Sequence, residues 1–126
     1  MENKNQKTIC IDFDDTLIRH QEYGPYGLLH ESPMDGAKEA MNQLKKEGYR
    51  ITVLTVRLNP SMPGNDLRWK KWVIRNWMEK NEIPFDEITN NKPKAVAYID
   101  NKAIKFTNWK RTLRQLRLSR LLAPLP

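Results

Sequence analysis

The sequence predicts an α/β fold, a three-layer Rossmann-like parallel sheet with helices on both faces, and three observations carry that expectation. Short apolar runs with β-branched members alternate with amphipathic stretches of helical period. The runs lack a clean in-out alternation, which is how strands covered on both faces of a parallel sheet read. The main runs also finish on polar residues, Asp12, Thr55 and Asp100, and ligands of parallel sheets sit beyond the carboxyl ends of the strands.

The first run, Thr8 to Phe13, is a strand that ends abruptly in acid. A helix start is expected at Ser32, which can cap, with Pro33 in the first turn; Ala37, Ala40, Met41 and Leu44 then recur on one face until Gly48. Arg50 to Val56 is a second buried strand. After a turn segment at 59–65, Asp66 caps a second helix with a broad apolar face of Leu67, Trp69, Trp72, Val73, Ile74, Trp77 and Met78. Phe85 to Thr89 is a short strand, and Ala95 to Ile99 a better one that runs into Asp100. Right-handed crossovers between these elements gather the polar strand ends at one place.

A chain of 126 residues suits one domain, burying roughly two-thirds of its unfolded surface. The only cysteine, Cys10, sits in an apolar run and has no intrachain partner, so a packing role in a reducing, cytoplasmic setting is expected. No apolar run approaches the roughly 20 residues of a membrane helix, and no leader or anchor is expected. The formal net charge of +7 is unevenly spread: residues 1–109 carry 17 Lys and Arg against 15 Asp and Glu, whereas residues 110–126 carry five basic residues and no acid. The expected organisation is therefore a nearly neutral domain over 1–109 and a basic, helical tail over 110–126.

Asp12 and Asp14 lie two positions apart where the first strand runs out, so both can reach one crevice and share a hard cation. Mg²⁺ suits such a site because it takes few protein carboxylates and keeps water or phosphate oxygens as ligands. Asp12, Asp100 and one backbone carbonyl would suffice.

The run Ile11-Asp12-Phe13-Asp14-Asp15-Thr16-Leu17 resembles the first motif of the haloacid dehalogenase (HAD) superfamily, Asp-x-Asp-x-Thr after an apolar strand. The resemblance extends over roughly residues 8–109, with further matches in the expected order: Thr55 at the end of Ile-Thr-Val-Leu-Thr, Lys92 in Asn-Lys-Pro-Lys-Ala, and Asp100 in Ala-Tyr-Ile-Asp-Asn. It implies a phosphohydrolase in which Asp12 forms an aspartyl-phosphate and Asp14 protonates the leaving group and then activates water. On the same resemblance Thr55 hydrogen-bonds the phosphoryl oxygens and Lys92, with Lys94 as fallback, orients nucleophile and phosphate. Asp12, Asp100 and the carbonyl of Asp14 would hold Mg²⁺. Asn101 stands where many relatives place a second acid, one negative charge fewer beside the cation; it can still accept a hydrogen bond from a metal-bound water. Neither 17–32 nor 58–91 is long enough for the cap domain that the family commonly inserts, and an uncapped site admits bulky substrates or is closed by a neighbouring subunit of a homo-oligomer.

Thr16, Arg57, Tyr23, Tyr26 and Asn101 are further candidates for substrate contact, the two tyrosines lying in a turn-rich flap, Tyr23-Gly24-Pro25-Tyr26-Gly27, where they could stack on a base or sugar. Arg57 has a second reading as half of a surface ion pair. The Gly-Pro-Tyr segment, Gly-Tyr-Arg-Ile before the second strand and an Arg-Trp pair on the next helix resemble the 3′-phosphatase half of phage polynucleotide kinases, a shorter match. A phosphorylated small molecule is thus the expected substrate and a nucleic-acid 3′ end the first alternative. A HAD-fold binding or scaffold module with weak turnover is the second. For the tail, Arg111, Arg114, Arg117 and Arg120 recur every three residues, and a solvated face or packing on the domain is favoured over RNA or membrane binding.

Overall fold

A computed structural model describes residues 6–19, 29–60 and 66–126. Its elements follow the predicted order: β1 (Thr8–Asp12), α1 (Ala37–Lys46), β2 (Arg50–Leu54), α2 (Leu67–Lys80), β3 (Glu87–Thr89), β4 (Ala97–Ile99) and α3 (Trp109–Leu118). The four strands form one parallel sheet in the order β3-β2-β1-β4, an α/β architecture of the Rossmann-like class. None of the described helices is long and apolar enough to cross a membrane.

Register fixes what meets at the site. Thr8 to Asp12 pair with Arg50 to Leu54, and Ile9 to Ile11 pair with Ala97 to Ile99. From β1 the chain moves out to β2 and β3 on one side and returns to the other side as β4. The ends of β1 and β4 therefore flank the topological switch point of the sheet, where ligands of such folds bind.

Both crossovers leading outward from β1 are right-handed by rule, which places α1 and α2 over the same sheet face. The core agrees. Ile9 and Ile11 of β1, Ile51 and Val53 of β2 and Ile88 of β3 pack with Ala37 and Met41 of α1 and with Ile74, Trp77 and Met78 of α2. Trp77 meets the Phe13 ring edge-on at 5.4 Å and donates its indole N–H to the Glu31 carbonyl (2.9 Å). The connection from β3 to β4 has no helix. Val96 N–H donates to the Thr8 carbonyl (2.8 Å), and the Tyr98 hydroxyl donates to the Pro93 carbonyl (2.6 Å) while accepting from Ala95 N–H (3.2 Å), which fastens the 90–96 segment to the sheet.

Three local expectations are corrected. Helix α1 starts at Ala37 rather than Pro33, because Ser32 to Met34 are extended to pair with the chain after β1: Arg19 N–H bonds the Ser32 carbonyl, Met34 N–H the Leu17 carbonyl, and Ile18 bridges Pro33. Gly36, at φ 83°, turns the chain into the helix. Strand β2 ends at Leu54, since Thr55 caps a 3-10 turn over Val56–Leu58 by accepting Arg57 N–H on its side-chain oxygen (3.1 Å). The apolar face of α2 is narrower than its sequence: Val73, Ile74, Trp77 and Met78 are buried, whereas Trp72 stacks on Trp69 and stays half exposed. Its cap is as predicted, with Asp66 accepting Trp69 N–H (2.9 Å).

Asp86 staples three elements. Its side-chain oxygen accepts Ile51 N–H (2.7 Å) and the Lys45 ammonium (2.7 Å), and its own N–H donates to the Ile51 carbonyl (2.8 Å). Burial pushes this carboxyl up, but the Ile51 N–H with the Lys45 and Arg50 charges outweighs it and leaves the pKa below the ordinary value of 3.8. Asp86→Ala should cost about 1–2 kcal/mol in urea unfolding at neutral pH. That contribution is present above the unfolded pKa and is lost as pH falls through the lower folded one, so the gap between native and variant should close in strong acid.

Candidate active site

A tight turn builds the first wall. The Phe13 carbonyl accepts Leu17 N–H (3.0 Å) and Ile18 N–H (3.2 Å), and Asp15, at φ 61°, closes the turn with its N–H on the Ile18 carbonyl (2.9 Å). A left-handed aspartate is uncommon but tolerated, and such backbone clusters at functional sites. This turn keeps Asp14, Asp15 and Thr16 at the carboxyl end of β1 beside Asp12. The Thr16 hydroxyl oxygen is shielded from solvent and has no hydrogen-bond partner among the described residues. An orphaned donor at that point suits a ligand oxygen.

Asp12 feels the whole cluster. Burial, then the neighbouring Asp100 and Asp14 carboxylates, with Asp15 adding to them, push its pKa from 3.8 to about 6, against a single opposing hydrogen bond from Phe13 N–H. Asp100 follows β4 and accepts Lys102 N–H (2.8 Å) in a local turn; Asn101 beside it is exposed. Two acids at neighbouring strand ends, with Asp100 disfavouring the charge on Asp12, are the kind of oxygen pair that suits a hard cation. Among the described residues, no three His, Cys, Asp or Glu side chains cluster closely enough to hold a metal alone. Asp12, Asp100 and the Asp14 carbonyl are the oxygens here that could hold Mg²⁺ in its low-carboxylate mode, with oxygen from water or phosphate completing the set.

The second wall comes from β2. Thr55 is buried, its N–H on the Thr89 carbonyl (2.9 Å) and its side-chain oxygen committed as cap acceptor, which leaves the hydroxyl proton to donate. Arg57 is buried at 5 % exposure and grips Asp14 with both arms of its guanidinium, Nη2 at 2.7 Å and Nε at 3.1 Å. The surface ion pair considered from sequence is in fact a shielded, two-pronged one across the site. The register explains the pairing: Asp12 pairs with Leu54, so a residue three positions beyond Leu54 stands level with the turn that follows Asp12.

Lys92 is not joined to Asp12 by an ion pair among the described residues. Its ammonium lies over the Tyr98 ring, 4.4 Å from the centroid. Tyr98 pairs with Cys10, two residues and about 7 Å of strand before Asp12. Burial pushes the Cys10 thiol up, and the Lys92 charge partly offsets it. The exposed lysine therefore stands below the rim of the crevice, on a flexible stem. Lys94 is exposed as well. Tyr23 and Tyr26, with the flap at 23–27 and His20, lie outside the described residues.

The four-stranded parallel sheet with acids at its switch point defines a Rossmann-like α/β domain. No protein-family model and no curated protein matches the chain. Among solved structures, a conserved protein of Bacteroides thetaiotaomicron is similar at a TM-score of 0.56, with 17% identity over 92% of this chain and 93% of the other. That likeness concerns the fold.

Proposed function

We propose that this chain is a capless phosphohydrolase of the HAD kind, which hydrolyses a phosphomonoester through an aspartyl-phosphate on Asp12. The observation that carries the reading is the convergence of Asp12, Thr55 and Asp100 at the carboxyl ends of three adjacent parallel strands, with Asp14 in the turn between them. The resemblance of the ordered motifs supplies the reaction class, and the shielded Thr16 hydroxyl supports a bound oxyanion.

The Asp12 carboxylate attacks phosphorus while the bond to the leaving oxygen breaks, and Asp14, in its protonated form at this step, delivers its proton to that oxygen. Asp14 then takes a proton from the water that attacks the acyl-phosphate, and the phosphorus bond to Asp12 breaks to regenerate the carboxylate. Thr55 donates its hydroxyl proton to a phosphoryl oxygen, and Arg57 holds the orientation of Asp14 between the two steps. Mg²⁺, when bound by Asp12, Asp100 and the Asp14 carbonyl, neutralises charge on the phosphate. Arg57 thereby becomes a positioning residue for Asp14. A phosphorylated small molecule is the favoured substrate, and a reducing cytoplasm suits the buried thiol of Cys10.

The test is phosphate release from an aryl phosphate by the full chain, followed by a panel of phosphorylated metabolites and end-phosphorylated oligonucleotides. Release that requires Mg²⁺ and stops on chelation is expected. A folded chain that releases no phosphate from any of them would overturn the reading.

A further inference from the structure

The body of the chain is electrically balanced, yet its last 26 residues are not. Residues 1–100 carry 15 basic and 15 acidic side chains, so the whole formal charge of +7 resides in residues 101–126, which contain no acid. Helix α3 occupies this segment, capped by Asn108, whose side-chain oxygen accepts Arg111 N–H (2.9 Å). It contributes no buried residue, so packing on the domain does not account for it. At 100° per residue, Lys110, Arg111, Arg114 and Arg117 fall within an arc of about 120°, with Leu116 opposite and Leu113 and Trp109 about 40° and about 80° beyond its edge at Arg117.

These cations line a concavity. Asn108, Lys110, Arg111, Arg114, Arg117 and Leu125 enclose a cleft of about 700 Å³. The Arg117 Nε is shielded there from solvent without a hydrogen-bond partner among the described residues, a donor awaiting an acceptor. At the amino end of the helix Phe106 and Trp109 form an edge-to-face pair at 5.2 Å, with both rings more than half exposed.

We propose that α3 and its cleft are a docking surface for single-stranded nucleic acid, with the arginines on the phosphates and Trp109 as a stacking platform. Charge complementarity selects a polyanion, and the guanidinium fork fits phosphate oxygens in pairs. The exposed aromatic pair selects one with accessible bases. An anionic membrane fits less well: its surface is flat, whereas the cations line a cleft, and Leu118 falls among the arginines rather than on the apolar side. The surface shares no residue with the Asp12 site, and the inference stands independently of the hydrolase reading.

Fluorescence anisotropy of a labelled oligothymidylate with the full chain tests it, alongside vesicles containing phosphatidylserine. The native chain should bind the oligonucleotide with affinity that falls steeply between about 50 and about 200 mM salt. Arg111→Gln with Arg114→Gln should weaken binding at least about tenfold and flatten the log–log salt slope by about 1.4, two contacts at about 0.7 each. Trp109→Ala should cost at least about fivefold. Circular dichroism and thermal midpoint should stay native in each variant, since α3 supports no core. Unchanged affinity in folded variants, binding to the vesicles but not the oligonucleotide, or no binding by the native chain would each overturn the proposal.

Discussion

Asp12→Asn is expected to reduce phosphate release by at least about a thousandfold while making the metal-free protein more stable. On the proposed mechanism the loss follows from removing the nucleophile, for which no other side chain substitutes at the end of β1. The gain follows from the same geometry. Asp12 carries its charge against burial and against Asp100 and Asp14, and its pKa of about 6 means that the native state holds the proton more tightly than the unfolded chain does at 3.8. Stability therefore falls as pH rises from about 4 to about 6 and stays reduced above it, opposite in sign to a salt-bridged carboxylate. Asparagine removes that term. Allowing for solvent screening at a part-exposed group, the variant should gain about 1–2 kcal/mol at neutral pH without divalent cation, and native and variant should converge in acid. Urea unfolding at several pH values reads this directly. On the proposed reading, a group whose loss stabilises the fold is a cost carried for function.

Arg57→Ala has the largest expected effect on folding. Arg57 is buried, and its removal strands the Asp14 carboxylate, which is 27% exposed, without its two-pronged partner. Breaking such a pair on one side leaves a poorly solvated charge, and a loss of about 3 kcal/mol in urea unfolding is expected. Arg57→Lys keeps the charge but offers a single ammonium in place of the fork, so it should recover part of the stability and little of the turnover. If Asp14 needs only charge neutralisation, lysine would restore both. The split between stability and kcat in the lysine variant thus measures orientation apart from charge.

The fold was legible from β1 to β4 because each strand is a short apolar run closed by a polar residue, and the motif spacing located Asp12, Thr55 and Asp100 at those ends. The start of α1 was not legible. Ser32 and Pro33 have good helix-start chemistry, but pairing of Ser32 to Met34 with the turn after β1 outbids it, and that contact is tertiary. Likewise the left-handed Asp15 and the shielded Thr16 hydroxyl depend on a turn that no single residue announces. Arg57 could be read as cation or contact, but its grip on Asp14 needed the register between β1 and β2. Lys92 shows the reverse case: its motif position suggested contact with Asp12, while its ammonium rests over Tyr98. Helix α3 was legible as a basic helix, but the choice between a solvated face and packing on the domain needed the structure, in which it buries no residue.

The central claim is that Asp12 carries the phosphoryl group, and chemical trapping tests it most directly. The native chain, turning over a phosphomonoester with Mg²⁺, is quenched in acid and treated with borohydride, which reduces an acyl-phosphate to an alcohol. Conversion of Asp12 to homoserine in the peptide that contains it, dependent on substrate and absent when substrate is withheld, is the expected result. Phosphate release with Asp12 unmodified under the same quench would contradict the account.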